Sequence, residues 1–551
     1  MNTTRWHPRD SIAALTLFTL TAAFVLWQSA HVASLMDISY ILNIATSIAH
    51  GNHPYRDFPF PFPPLTFLTQ AVLIKLFGPH YAIVIAYAAI TSGIATIITW
   101  RILIHTLRTH RLIATILAAP LAVLGTSCIF PHPFYDADAT LIVLLCILLL
   151  QHFDAPQITP TRALLTGALC VIPVFIKQNV GLFFLAAVTV TLITLALKHR
   201  TPRYIQALTG IIFATLAALA RIHFASGLHN YFYWTIQYAT TRRLPNSATI
   251  ASIYAVAYEQ WTLPALLAAT IILYRTRNRI ARIIGIALAT APFLYTVLYL
   301  FLESDPETRA EPLLALWPPL LILALCCAVI NLRQRLTLYT AIPFILLATI
   351  NGAFLSQQLW GSTYAIWPLL VILIAQILVT AAPTLREASL PITAIASLAL
   401  IISGASYALG HSRLIYIHLD GPVTHSHTPA TRTLSTSGTN LADFDELIAF
   451  TNTHIPKEDA LIVLPGEDPF FYATARRPQF PIVLFERTTN PYEPAELVAL
   501  LQQHNVRWII AKRHLQLTEE TQLGREEFFA LIAHTFTPYA TLANYTIYRR
   551  N

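Results

Sequence analysis

The sequence predicts a polytopic α-helical membrane protein with about thirteen spans, followed by a soluble α/β domain at its C-terminal end. Three observations predict it. Of 551 residues, 55% are hydrophobic and only 11% charged, where soluble domains carry about 25% charged residues. The apolar residues come in blocks of about 18 or more, long enough to cross a hydrocarbon core about 30 Å thick. From residue 438 onward the blocks give way to short alternating helix and strand patterns.

The first block, Ser11 to Val32, follows Arg5 and Arg9 and ends in no small-residue cleavage site, so it reads as a retained signal-anchor. Spans are expected near 11–33, 80–104, 112–129, 138–152, 162–177, 179–197, 204–224, 250–273, 283–302, 312–330, 338–356, 363–382 and 391–410. The formal charge of +8 forms no nucleic-acid-binding patch; the basic residues are spread in short clusters between the blocks. Alternate loops are rich in them: Arg5 and Arg9, Arg108 and Arg111, Lys198 to Arg203, Arg275 to Arg282, Arg333 and Arg335, and Arg386. The positive-inside rule therefore places the N-terminus in the cytoplasm and, with an odd span count, the C-terminal domain outside. Asp37, Asp57, Asp136, Asp138, Glu303, Asp305, Glu307 and Glu311 all fall on the outer side. Ionisable groups at a membrane boundary are candidates for function. The five cysteines lie within apolar segments and read as small hydrophobes.

Residues 34–79 are too long for a simple turn. Ile38 to Ile48 repeats its apolar residues at helical spacing, predicting an amphipathic helix in the interface, stopped by Gly51 and Pro54. A proline- and phenylalanine-rich turn leads to a second helix, Leu65 to Phe77. Asp37 opens the first helix, where it can cap backbone amides or act chemically. Tyr55, Arg56 and Asp57 occupy the turn.

These motifs carry a resemblance. Asp37 after the first span, then Gly51, Pro54-Tyr55-Arg56-Asp57-Phe58 and Pro63-Pro64-Leu65, is similar to the first outer loop of the GT-C superfamily of membrane glycosyltransferases, protein-mannosyltransferase-like and RgtA/B/C/D-like members in particular. Phe130 to Leu141 (FPHPFYDADATL) resembles the second acidic loop of that family, and Gly167 to Phe184, with its Lys177, resembles the fifth-span element. The motifs cover residues 1–200; the rest is alike in architecture only. The resemblance implies sugar transfer from a polyprenyl-phosphate donor at the outer face of a bacterial inner membrane, with inversion, to a glycan, lipid or protein acceptor.

The residues suit that chemistry. Transfer needs a base for the acceptor hydroxyl and a cation for the departing phosphate. Asp37 is the first candidate base and Asp136 or Asp138 the second. These three carboxylates are also candidate ligands for a divalent cation, Mg or Mn, since oxygen donors suit such ions; whether one is needed stays open. Lys177 sits between apolar segments, so its ammonium should face a partner: a phosphate, or an aspartate in an internal ion pair. Arg309 and Arg56 are candidates to assist it. Tyr55, Asp57, Arg242 and Arg243 are candidate substrate contacts, although the two arginines follow the aromatic run NYFYWTIQY and also fit an interfacial belt. The outer histidines, including His132, are expected at the interface.

The chain thus divides into a membrane core (1–410), a polar linker (411–437) and an α/β domain (438–551). Helices are expected at 440–454, 468–475, 493–504 and 524–535, and strands at 460–465, 481–485, 506–512 and 540–549, in a mostly parallel sheet. No phosphate-binding loop occurs, and Glu467 and Asp468 read as surface loop residues. Two other functions fit the sequence: a transporter or flippase of a lipid-linked saccharide, and a non-catalytic binder of such a lipid. Transporter sites favour the bilayer midplane between repeated halves, whereas the acids here gather in outer loops.

Overall fold

The computed structural model describes residues 7–29, 35–107, 111–153, 158–243, 251–255, 260–275, 278–305, 308–334, 336–355, 363–381, 389–410, 423–486, 489–515 and 525–551. Each of the thirteen expected spans contains a helix. Among the described residues, seven helical segments are long and apolar enough to cross a membrane. They include α1 (Pro8–Ser29), α4 (Tyr81–Leu107), α8 (Gln178–His199) and α9 (Pro202–Ser226). After α9 come α10 (Thr262–Arg275), α11 (Arg279–Leu302), α12 (Trp317–Gln334), α13 (Leu338–Phe354), α14 (Trp367–Ala381) and α15 (Ser389–Gly410). A 22-residue helix rises about 33 Å at ~1.5 Å per residue, enough for the hydrocarbon core.

The shorter segments are short for local reasons. Helix α5 (Arg111–Ala118) tightens into a 3-10 turn at Ala119–Ala122 around Pro120, and the chain stays irregular through Pro131 and Pro133. Proline removes an amide donor and disfavours helix at the residue before it, so α6 (Tyr135–Gln151) starts only after Pro133. Helix α7 (Pro160–Leu169) breaks the same way, into a 3-10 turn at Ile172–Phe175 around Pro173. The chain then runs extended through Lys177 (φ −145°, ψ 110°) before α8 begins.

Gly181 holds this break against α8, since a Cβ there would lie 2.2 Å from the Val174 amide nitrogen. Gly181→Ala should therefore shift the Lys177 loop and cost about 1–3 kcal/mol of stability, as overpacked cores do. Thermal unfolding in detergent, compared with wild type, measures it.

Helix α2 (Leu35–Ala49) and helix α3 (Leu65–Phe77) form where the sequence places them. The environment of α2 differs from expectation. It is no half-exposed interfacial helix: Ser39, Asn43, Thr46 and Ser47 on its polar side are all buried. The C-terminal domain meets this face at Asn43. The Asn43 amide donates to the Asp468 carbonyl oxygen (2.9 Å) and accepts from the Phe471 and Tyr472 backbone N–H groups (3.1 and 3.3 Å). The polar face that sequence periodicity assigns to water is satisfied by protein instead.

The C-terminal domain is built on α16 (Asn440–His454), α17 (Phe470–Thr474), α18 (Pro494–Gln503), α19 (Arg525–Ile532) and two small sheets. In the stretch read as linker, β1 (Val423–His425) and β2 (Ser435–Ser437) pair antiparallel; residues 411–422 lie outside the described residues. The main sheet has the order β3-β4-β6-β5, with β3 (Leu461–Leu464), β4 (Trp508–Lys512), β5 (Phe536–Thr541) and β6 (Tyr545–Arg550). Only β3 and β4 run parallel, which corrects the expected mostly parallel sheet. The apolar stretch expected as one strand at 540–549 is the turn and second arm of a hairpin, and 481–485 is irregular.

Glu467 and Asp468 are a further correction. Both are buried, and the equally buried Lys512 ammonium lies 2.9 Å from Asp468 Oδ1 and 3.3 Å from Glu467 Oε2. The Tyr545 hydroxyl donates to Asp468 Oδ2 at 2.9 Å. Burial works against the charged lysine, but the two carboxylates outweigh it and hold its pKa above the usual lysine range. Gly466 (φ +94°) makes this turn possible, because a Cβ there would lie 2.1 Å from the Val483 carbonyl oxygen.

Candidate functional site

Asp136 lies in the first turn of α6, preceded by extended Phe134. Its Oδ1 accepts from the Lys177 ammonium, and its Oδ2 accepts from the Tyr364 hydroxyl at 3.3 Å. Lys177 is 7% exposed and Asp136 is 1% exposed, so this is a buried ion pair. The proline break before α8 explains how a lysine reaches such a place: it ends the preceding turn and sets Lys177 in extended conformation, just ahead of the helix. The Tyr135 ring lies 5.3 Å from the ammonium and stacks on Phe134 and Phe62, giving Lys177 an aromatic wall.

Asp37 sits in the first turn of α2, near enough to Tyr364 for its charge to act on that hydroxyl. Asp136, Lys177 and Tyr364 thus converge from three separate parts of the chain, with Asp37 in electrostatic reach of Tyr364. Phe130 packs on Tyr364 at 4.8 Å, and His132 packs on Phe130 at 5.5 Å. The expectation of an interfacial His132 is corrected: it is 2% exposed. Burial pushes its pKa down to about 4, so it is neutral near pH 7 and leaves Lys177 as the cation of this cluster.

Asp138 belongs elsewhere. Its Oδ2 accepts from the Thr66 hydroxyl (2.7 Å) and its Oδ1 from the Tyr87 hydroxyl (2.9 Å), which ties α3 and α4 to α6. Residues two apart on a helix do not face each other. The helical start at Tyr135 therefore turns Asp136 and Asp138 to different partners, and the two cannot share one cation as an extended strand would allow. Among the described residues no three His, Cys, Asp or Glu side chains gather to hold a metal ion. With Asp136 engaged by an ammonium, this donor set does not fit the Mg or Mn considered from sequence.

The remaining sequence candidates are dispersed. Tyr55 is buried, with φ +70°, and its hydroxyl donates to the Phe62 carbonyl oxygen at 2.7 Å, bracing the proline-rich turn from within. Arg56 and Asp57 pair with each other through two contacts of 2.8 and 3.1 Å and line a cleft that neither Lys177 nor Asp136 lines. Arg56 holds the Asp57 carboxyl below its usual range. Arg309 donates to the Glu303 carbonyl oxygen at 2.7 Å. The side chains of Arg242 and Arg243 lie outside the described residues.

No protein-family model and no curated protein matches this sequence. Solved structures of similar course are known. One is ArnT from Cupriavidus metallidurans bound to undecaprenyl phosphate, at 13% identity over 97% of this chain and 97% of that chain, with a TM-score of 0.48. Another is the Archaeoglobus fulgidus oligosaccharyltransferase in complex with Zn and sulfate, at 12% identity over 91% of this chain and 67% of that chain, also with a TM-score of 0.48. At this degree of similarity the reading of the site rests on this chain's own residues.

Two members of the cluster escape a sequence reading. Tyr364 lies in a weakly patterned stretch before the Trp367-Pro368 helix entry, and nothing local marks its hydroxyl as bound for Asp136, 228 residues away in the chain. His132 carries a signal only in hindsight: it is one of several histidines near loops, set apart by the flanking Phe130 and Phe134 that bury it.

Proposed function

We propose that this chain is an inverting glycosyltransferase that moves a sugar from a polyprenyl-phosphate donor to an acceptor hydroxyl at the outer face of the membrane. The observation that carries the reading is the buried Lys177–Asp136 pair, joined by Tyr364 and with Asp37 in electrostatic reach of that hydroxyl. A buried ammonium held by one carboxylate is a ready phosphate receptor. Asp136 balances its charge, and a donor phosphate, carrying oxyanions of its own, competes for the same N–H donors.

The step is a displacement. Asp37 takes the proton of the acceptor hydroxyl as its oxygen bonds to the anomeric carbon. The bond from that carbon to the phosphate oxygen breaks, and its electron pair stays with the phosphate, where Lys177 offsets the charge. Attack opposite the leaving group inverts the anomeric centre. Tyr364 holds the second oxygen of Asp136, which keeps that carboxylate, and through it Lys177, in place. The topology proposed from the positive-inside rule, N-terminus in the cytoplasm and C-terminal domain outside, puts this site on the side where a lipid-linked donor awaits transfer.

A flippase of the same lipid would use the same phosphate contact, so the two readings part on turnover. In proteoliposomes, labelled polyprenyl-phosphate sugar should give product only when an acceptor is present and should not cross the bilayer alone. Movement of label across the vesicle without acceptor and without transfer would replace the enzyme reading by transport.

A further inference from the structure

Beside the cluster around Lys177 the molecule has a separate cleft of about 630 Å³, formed between the turn after α2 and the C-terminal domain. One wall carries Asn52 and Arg56; the other carries Arg477, Gln479, Phe480 and His504. Each arginine is already held by a neighbour. Arg56 places Nε and Nη2 on Asp57, while Arg477 donates through Nη2 to Asn52 Oδ1 at 2.6 Å. A guanidinium has five N–H donors, so both keep donors in hand while their planes are fixed. Two guanidiniums against the one carboxylate of Asp57 leave the cleft with excess positive charge. The exposed Gln479 amide stands on the same wall as Arg477, with the half-buried His504 ring also lining the cleft.

We propose that this cleft docks an acceptor glycan through an anionic substituent, a phosphate, sulfate or carboxylate. Fixed guanidiniums recognise the charge, and the Gln479 amide hydrogen-bonds hydroxyl groups. The inference rests on the transferase reading and deepens it. Ser47 of α2 lines the cleft and Asp37 stands ten residues earlier on the same helix. At ~1.5 Å per residue the two ends are about 15 Å apart. A single sugar held in the cleft does not reach Asp37; the acceptor is an extended chain whose charged part docks here while its reacting hydroxyl lies at Asp37. The C-terminal domain then has a function that its lack of catalytic motifs leaves open, as half of the acceptor site.

The test is equilibrium binding of a sulfated heparin tetrasaccharide, with neutral maltotetraose beside it, to the full chain in phosphatidylcholine nanodiscs. Wild type should bind the sulfated probe and bind maltotetraose far more weakly. Arg56→Gln/Arg477→Gln should lose about tenfold or more of that affinity, the scale of charge-assisted hydrogen bonds. Lys177→Met/Asp136→Asn should keep it. Equal affinity in wild type and the arginine double variant overturns the proposal, as does absence of binding to wild type. Loss of the probe's binding when phosphatidylglycerol is added to the nanodisc overturns it too, by assigning the cleft to lipid headgroups. Polyprenyl phosphate binding, measured on the same proteins, should follow the opposite pattern: retained in the arginine variant and weakened in the Lys177 variant. If polyprenyl phosphate binds none of them while the tetrasaccharide behaves as stated, the donor reading fails and the cleft stands.

Discussion

Replacing Lys177 with Ala is expected to weaken donor binding by about one to two orders of magnitude and to destabilise the protein as well. The ammonium is the cation of the cluster around Asp136, and it is 7% exposed. Losing a charge-assisted contact to phosphate costs about 1.5–3 kcal/mol, roughly 10- to 100-fold in affinity. The variant also strands Asp136, now buried without its partner, at a cost of about 3–5 kcal/mol in stability. The two effects separate in Lys177→Met/Asp136→Asn, which removes both charges together. That double variant should recover most of the lost thermal stability and none of the affinity for polyprenyl phosphate. Full donor affinity in the double variant would move the phosphate to another residue.

The second large effect is on turnover. Asp37→Asn keeps the side chain's size and its capacity to accept from a backbone N–H, so α2 should still begin at the same place. What it removes is basicity, and loss of a general base lowers rate by about 10²- to 10⁴-fold. Donor affinity should stay near wild type because Lys177 and Asp136 are untouched. A helix-capping role alone predicts the reverse: little change in kcat, with a loss of about 0.5–2 kcal/mol in stability on replacement by Ala. Measuring kcat, donor affinity and unfolding on the same two variants, Asp37→Asn and Asp37→Ala, separates the base from the cap.

The helical blocks were legible because a membrane solvent imposes one strong rule, that long apolar runs form helices. The proline breaks within two of those blocks, at Pro120 and Pro173, were not read from the sequence, where 112–129 and 162–177 stood as single spans. Lys177 could be singled out because a charge between apolar segments is costly, and the ion pair with an aspartate was one of the two partners that cost allows. The partner of each carboxylate was not legible. Asp136 and Asp138 look equivalent in a string of letters, and only the start of α6 at Tyr135 sends one to Lys177 and the other to Thr66 and Tyr87.

Long-range burial was hidden in the same way. The polar residues of α2 read as facing water, yet Asn43 bonds to a loop more than 420 residues away. Glu467 and Asp468 read as a solvated turn because their counter-charge, Lys512, lies on a strand whose lateral neighbours depend on the whole sheet. The hairpin from β5 to β6 was missed because its second arm alone carries an apolar alternation: β5 exposes most of its residues, so periodicity gives it no inward face.

The central claim, transfer from a lipid-phosphate donor with Asp37 as base, is tested most directly by one measurement. Wild type and Asp37→Asn are reconstituted in proteoliposomes with a panel of radiolabelled polyprenyl-phosphate sugars and extended acceptor glycans, and labelled product is counted. The account predicts labelled product from wild type with at least one donor, and a loss of about 10²-fold or more with Asp37→Asn despite unchanged donor binding. Equal product from both proteins would contradict Asp37 as the base, and donor binding with no product from any pair would contradict the transferase itself.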